Sequence, residues 1–152
     1  MIDRALSAHF FLHEFLRSET AARMGRAIEP TETEIENLRL LCAQVLEPIR
    51  VRLDRVITIT SGLRPHWLNL EIRGSSTSEH PFGRAADFIV AGLRPIEVCR
   101  EIAKMDLPFN QLIHEFGQWT HISVAAAGTV PKRQVRTASV INGATVYSIG
   151  IV

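Results

Sequence analysis

The strongest constraint on the fold is a long helical pattern at about residues 31–52. Apolar residues recur there at helical spacing, at Ile35, Leu38, Leu41, Cys42, Val45, Leu46 and Ile49. Thr31 or Thr33 opens this helix, and Thr33 forms a capping-box pattern with Glu36 three residues later. Pro48 predicts a kink late in the helix, because proline lacks the N–H that would continue its hydrogen bonds. A helix with this patterning must cover one side of a packed core.

Short apolar segments after the helix predict a sheet. Strands are predicted at 56–60, 85–90, 110–114 and 119–124, and shorter helices at 18–24, 66–70 and 95–105. Asn142-Gly143 suits a type I′ turn and predicts a C-terminal hairpin at about 138–151. This order of elements predicts one α+β domain over residues 1–152, with a small antiparallel sheet flanked by helices.

The composition is that of an ordinary globular domain. Of the 152 residues, 46% are hydrophobic and 22% are charged, which is enough for a core without disulfides. The formal net charge of +1 argues against a nucleic-acid partner, which would require a strongly basic surface. No stretch reaches the roughly 18 apolar residues of a membrane span, so we expect no stable membrane insertion. Cys42 and Cys99 lie in helical apolar patterns and are predicted to be buried free thiols.

A histidine and an aspartate lie close together in the segment SEHPFGRAAD, residues 78–87. Gly83 permits a tight turn, so that His80 can leave a loop while Asp87 lies in the following strand. His121, in the strand pattern WTHIS, converges on them if the two strands are neighbours. A catalytic zinc takes three such nitrogen and oxygen ligands and keeps an open position. Spacing alone favours the alternative, in which His80 lies at the surface, Asp87 is a cap and His121 is packed.

Several motifs occur together and in order, namely Ser61-Gly62-Leu63-Arg64-Pro65, Asn69, Gly74-Ser75, Ser78-x-His80-x-x-Gly83-x-Ala85-x-Asp87 and Trp119-x-His121-Ile122-Ser123. Over about residues 10–125 the chain resembles the zinc D-alanyl-D-alanine carboxypeptidase family, whose signature is S-G-x-R, then S-x-H-x-x-G-x-A-x-D, then W-x-H. Glu14-Phe15 and Ser18-Glu19-Thr20-Ala21 resemble its phage-associated branch. The resemblance implies the fold shared with hedgehog signalling domains and DD-peptidases. It also implies zinc on His80, Asp87 and His121, and peptidoglycan stem peptides as the substrate.

The general base is the point at which the chain departs from the family. Much of the family has an acidic residue three positions before the last histidine, but here that position is Gln118, whose neutral amide cannot take a proton. We predict that Glu115 replaces it, because Gly117 allows the chain to turn back toward the site. Glu79, beside a predicted ligand, is the second choice. The alternative for Glu115 is a solvated carboxylate at the end of a strand.

Other residues are predicted to bind substrate or to lie apart from the chemistry. Arg64 follows a strand and a Ser-Gly turn, and the resemblance implies that it holds a substrate carbonyl or carboxylate. Ser78 is predicted to hydrogen-bond near the site, with a loop cap as the alternative, and Trp119 is predicted to wall the cleft. His66 and His114 are predicted not to bind metal; His114 should face away from the neighbouring Glu115.

These features predict a zinc peptidase that acts on bacterial cell-wall peptides as a carboxypeptidase or an endolysin-type endopeptidase. A non-catalytic zinc-stabilised module, which binds the cell wall or belongs to a phage particle, is the alternative that Gln118 motivates. A cysteine nucleophile is poorly supported, because both cysteines lie in apolar helical patterns. The first residues lack a signal-peptide pattern, so we expect synthesis in the cytoplasm and action on the wall after release or within a phage particle.

Overall fold

The computed structural model describes residues 3–152 as a sheet with helices packed on one face. The helices are α1 (Glu19–Arg23), α2 (Glu32–Leu41), α3 (Glu47–Leu53), α4 (His66–Glu71) and α5 (Pro95–Ala103). The strands are β1 (Ile57–Ser61), β2 (Ala85–Val90), β3 (Phe109–Glu115), β4 (Trp119–Val124), β5 (Gln134–Ile141) and β6 (Ala144–Ile149). Two 3-10 turns span Leu12–Phe15 and His80–Phe82, and a π turn spans Cys42–Leu46.

The six strands form one sheet in the order β1-β2-β4-β3-β5-β6. Neighbouring strands are antiparallel except for β3 and β5, which are parallel. The α+β prediction and the hedgehog/DD-peptidase-like architecture are therefore confirmed, with a mixed sheet instead of a wholly antiparallel one. The parallel pair arises because the chain leaves β4 and returns through residues 125–133 to the other side of β3.

The long predicted helix is present as α2, the π turn and α3, which follow one another without a break. Thr31 is its N-cap: its hydroxyl accepts from the Glu34 N–H at 3.2 Å, and the Glu34 carboxylate accepts from the Thr31 N–H at 2.8 Å. The alternative start at Thr33, with its capping box to Glu36, was therefore wrong. The wider π turn ends at Leu46, two residues before Pro48, where the sequence predicts a kink.

The core lies between one face of the sheet and the helices. Helices α2, α3 and α5 bury Leu38, Leu41, Ile49 and Ile102 against that face, to which the strands contribute Phe88, Leu112 and Ile122. Cys42 and Cys99 are free and fully buried, as predicted. Burial raises the pKa of Cys42 to about 12 and that of Cys99 to about 11, so neither is a nucleophile at neutral pH. Among the described residues, no helix is both long and apolar enough to cross a membrane.

The C-terminal hairpin begins earlier than its predicted span of 138–151, because β5 starts at residue 134. Its turn is the predicted Asn142-Gly143 pair, and both residues have positive φ, as a type I′ turn requires. The hairpin extends the sheet beyond β3. The candidate site lies on the face of the sheet opposite the helices.

Candidate metal centre

Three side chains from two strands and a turn converge on the open face of the sheet. Asp87 of β2 lies directly opposite His121 of β4 in the antiparallel register, and His80 comes from the 3-10 turn that precedes β2. All three residues are buried, and one nitrogen or oxygen atom of each lies within 4.8 Å of the others. The structure thus brings together the three residues that the sequence singles out.

The geometry of this cluster fits a metal ion. The Nδ1 of His80 lies 2.7 Å from the Gly62 carbonyl, which only accepts, so Nδ1 carries the proton and Nε2 presents a lone pair. That Nε2 is buried without a hydrogen-bond partner, and it faces Asp87 Oδ1 at 3.3 Å. A metal cation between them would satisfy both lone pairs. The Nδ1 of His121 lies 2.8 Å from the same oxygen. Ligands of a tetrahedral zinc with bonds of about 2.0 Å lie about 3.3 Å apart.

The electrostatics of the cluster also favour a cation. Burial alone would raise the pKa of Asp87, but His80 and His121 outweigh burial and hold that pKa well below its usual range. Burial lowers the pKa of His80, which is thus neutral and able to bind metal. Burial opposes the charged form of His121 as well, but Asp87 and Glu115 raise its pKa above the ordinary value. Metal binding at His121 should therefore release a proton.

Glu115 lies at the end of β3, beside the cluster. Its Oε1 is 3.8 Å from the Nδ1 of His121, and its Oε2 accepts from the Trp119 indole N–H at 3.1 Å. Burial raises the pKa of Glu115, and the nearby Asp87 charge adds to the shift. A carboxylate with a raised pKa beside a metal site is suited to general acid–base chemistry.

Gln118 does not face the cluster. Phe116 and Gly117 both have positive φ, and the Gln118 backbone N–H donates to the Glu115 carbonyl at 2.9 Å, which closes a tight turn with Gln118 at its exposed side. Glu79, the second choice for the base, accepts from Arg84 Nε at 2.6 Å and is engaged in that ion pair. Of these three residues, the structure places Glu115 alone against the ligand cluster.

A β-bulge places the groups that hold Arg64. The register of β1 shifts between Ile59 and Ser61, so that Ser61 lies opposite Asp87 on the site face of the sheet. Arg64 Nη2 lies 3.5 Å from Ser61 Oγ and 3.6 Å from Asp87 Oδ2, and Nη1 donates to Asn69 Oδ1 at 3.3 Å. The guanidinium is thus fixed beside the ligand cluster, with 13% of the side chain exposed toward the cleft.

A comparison with protein-family models decides the family. The model described as Peptidase M15 matches residues 8–123, which is most of the chain and includes all of the residues above. The chain belongs to the peptidase M15 family. Its members are zinc-dependent and similar to D-Ala-D-Ala carboxypeptidases, so the resemblance seen over about residues 10–125 is confirmed. A search of curated proteins found no match.

The cleft of this M15 peptidase encloses about 510 Å³ and opens above the ligand cluster. Its lining comprises Arg64, Ile72, Arg73, Gly74, Ser75, Thr77, Ser78, Glu79, His80, Asp87, Gln111, Ile113, Glu115, Phe116, His121 and Tyr147. Sequence reasoning missed Arg73 and Tyr147. Neither belongs to a motif, although the alternation of residues along β6 does place Tyr147 on the site face.

Trp119, which was predicted to wall the cleft, contacts two residues that line it. Its indole N–H donates to Glu115, and its ring packs on Phe116, with centroids 5.6 Å apart. Trp119 therefore supports Glu115 from the side. Ser78 borders the cleft. Its hydroxyl accepts a hydrogen bond from the His80 N–H at 3.2 Å, so Ser78 caps the loop, which was the alternative stated for it.

His66 and His114, which were predicted not to bind metal, lie outside the ligand cluster. His66 is exposed and packs edge-on against Phe82. His114 is buried on the helix-covered side of the sheet, because successive residues of a strand point to opposite faces. Within residues 3–152, His80, Asp87 and His121 are the one group of three or more residues with metal-ligating geometry.

Gly74 leaves room for the hydrogen bond between Arg64 and Asn69. A Cβ at this position would overlap Asn69 Oδ1 and lie 3.1 Å from Arg64 Nη1. Asn69 cannot move cheaply, because it is buried and its amide N–H donates to the Ser75 carbonyl at 3.0 Å. Gly74→Ala should therefore displace Arg64 and raise KM roughly tenfold, the loss of about 1.5 kcal/mol that a charged hydrogen bond is worth. Steady-state kinetics would measure this change.

The control for Gly74→Ala is the same substitution in an Arg64→Ala background. If Gly74 acts through Arg64, the second substitution adds nothing there. Additive losses would contradict this account of Gly74.

Proposed function

We propose that this M15 peptidase hydrolyses peptide bonds of bacterial peptidoglycan stem peptides, with zinc held by His80, Asp87 and His121. The observation that carries the proposal is the convergence of three buried ligand residues beside a partly buried carboxylate, Glu115, in an open cleft. When bound in such a site, zinc activates water and polarises the carbonyl under attack. The family supplies the substrate class, since its members resemble D-Ala-D-Ala carboxypeptidases.

Glu115 carries the proton transfers in this proposal. Its carboxylate takes a proton from the attacking water and returns it to the nitrogen of the departing amine, so the C–N bond breaks without release of an unstable amide anion. The indole N–H of Trp119 holds Oε2 and leaves Oε1 directed toward His121. The raised pKa of Glu115 suits both directions of transfer near neutral pH.

Arg64 orients the substrate. Its guanidinium is anchored by Asn69 and Ser61, and its charge is directed into the cleft beside Asp87. A planar guanidinium can hold a carboxylate or carbonyl oxygen through paired hydrogen bonds, which suits the carboxylates of stem peptides. Arg73 also lines the cleft and adds positive charge there.

Arg64→Lys tests this role. Lysine keeps the charge but loses the fork of donors, so we expect KM to rise about tenfold, with a smaller change in kcat. Arg84→Lys is a matched control, since the Arg84 side chain is similarly buried, at 17% exposed, but pairs with Glu79. Steady-state kinetics on a soluble muropeptide would measure both. Equal effects of the two substitutions would contradict the role of Arg64.

The site of action belongs to the same proposal. An enzyme of this kind acts on the wall after release from the cell in which it is made, or as part of a phage particle. Carboxypeptidase and endopeptidase activities both fit the ligand cluster, and the products of digestion distinguish them.

Digestion of purified peptidoglycan tests the proposal against a non-catalytic wall-binding module. Zinc-loaded wild type and Glu115→Ala are incubated with the polymer, and soluble peptides and free D-alanine are measured beside the bound protein. The proposal predicts release by the wild type alone. The non-catalytic module predicts that both proteins bind the wall and that neither releases product.

A further inference from the structure

The C-terminal hairpin reaches the cleft although it lies beyond residues 8–123, the part of the chain that the family model matches. In the parallel pairing of β3 with β5, Ala138 lies opposite Glu115. In the antiparallel pairing of β5 with β6, Tyr147 lies opposite Ala138. These three residues therefore form one row across the sheet, on the face that carries the ligand cluster.

The small side chain of Ala138 leaves room for the Tyr147 ring to reach the cleft. Its side chain is a single buried methyl group, 1% exposed, between two long side chains. Tyr147 lines the cleft together with Glu115 and His121. Burial raises the pKa of the Tyr147 phenol, and the Glu115 carboxylate adds to the shift, as expected for neighbouring groups.

The fold itself makes little use of the Tyr147 ring. The residue is 54% exposed, and Ile149, next on the same face of β6, is 82% exposed. Tyr147 is the single tyrosine of the chain. A half-exposed aromatic ring with one edge in a cleft offers a large apolar surface and a polar tip, which is the combination that recognition sites use.

The strand order sets the position of Tyr147 along the cleft. Arg64 lies beside Asp87 on β2, followed across the sheet by His121 on β4, Glu115 on β3 and Tyr147 on β6. Strands are about 4.8 Å apart, so β6 lies roughly 10 Å beyond β3. An extended peptide covers that distance with about three residues. The strand order therefore favours contact between the ring and substrate residues away from the bond that is cut.

We propose that Tyr147 is a substrate-positioning residue that forms an aromatic wall of the peptide cleft, on the side of Glu115 away from Arg64. This inference rests on the proposed function. It assigns to the hairpin the recognition of the more distant part of the peptide, and it leaves the proton transfers to Glu115.

Kinetics on substrates of two lengths test this role. On a muropeptide with a full stem peptide, Tyr147→Ala should raise KM about tenfold, the loss of one aromatic contact, with kcat changed less than about twofold. Tyr147→Phe keeps the ring and should retain the wild-type KM. On the shortest peptide that is still cut, Tyr147→Ala should have no effect, since that peptide does not reach the ring.

Val146→Ala is the matched control, because Val146 is the neighbouring residue on the opposite face of β6 and is 39% exposed. It should leave KM unchanged on both substrates. Equal effects of Tyr147→Ala and Val146→Ala, a loss confined to kcat, or the same loss on long and short peptides would overturn the inference.

The same variants separate this inference from the proposed function. If the wild type cuts the muropeptide and Tyr147→Ala has an unchanged KM, the inference fails and the proposed function stands. If the zinc-loaded wild type cuts nothing, calorimetric binding of the full muropeptide replaces kinetics. Binding by the wild type that Tyr147→Ala weakens about tenfold supports the inference, while equal binding or none overturns it.

Discussion

Glu115→Gln is expected to lower kcat by about 10²–10⁴-fold while the protein keeps its zinc and its fold. Glutamine has nearly the shape of glutamate and can still meet the Trp119 indole, but it cannot accept the proton from water or return it to the leaving amine. Glu115 lies 3.8 Å from His121 without being part of the ligand cluster, so metal content should not change. Steady-state kinetics on a muropeptide, with zinc measured by mass spectrometry on the same sample, would check this.

Two controls make the result specific. Gln118→Ala should leave kcat within about twofold, because Gln118 lies on the exposed side of the turn. Glu79→Gln should cost far less than Glu115→Gln, because Glu79 is already paired with Arg84. If Glu79→Gln or Gln118→Ala removed activity and Glu115→Gln did not, the assignment of the base would be wrong.

His121→Ala should reduce bound zinc from about one ion per chain to less than about 0.1 after dialysis, and should abolish hydrolysis. The substitution leaves two protein ligands, and no other described histidine is close enough to replace the third. His80→Ala should have the same effect. Metal analysis of the purified variants, with circular dichroism to show that they fold, would measure both.

His66→Ala is the control for this pair, since His66 is exposed and lies away from the cluster. It should retain zinc and activity. Full zinc occupancy in His121→Ala, or zinc loss in His66→Ala, would show that the metal lies elsewhere.

Much of the fold could be predicted because its signals are local. The apolar spacing from Ile35 to Ile49 and the β-branched run at 56–60 both led to elements that the structure contains. The sequence left two N-cap candidates open because the capping pattern occurs at Thr31 with Glu34 as well as at Thr33 with Glu36, and the structure has the first. The parallel pairing of β3 and β5 involves residues far apart in the chain, so no local signal indicates it.

The candidate site, like the fold, could be predicted where its signals are local. His80, Asp87 and His121 could be placed together because Asp87 and His121 lie in strand patterns that become neighbours. The hydrogen bond from Trp119 to Glu115 depends on a turn in which Phe116 and Gly117 both have positive φ. The sequence indicates a positive φ for the glycine alone. Tyr147 reaches the cleft through the parallel pairing just described, so local reasoning left its hairpin without a function.

The most direct test of the central claim, zinc-dependent hydrolysis of stem peptides, is the mass spectrum of a purified muropeptide after incubation with the zinc-loaded wild type. Hydrolysis should remove the intact muropeptide and produce two fragments whose masses sum to that of the parent plus one water. A chelator should stop the reaction, and added zinc should restore it. An unchanged muropeptide in the presence of folded, zinc-loaded protein would contradict the proposed peptidase function.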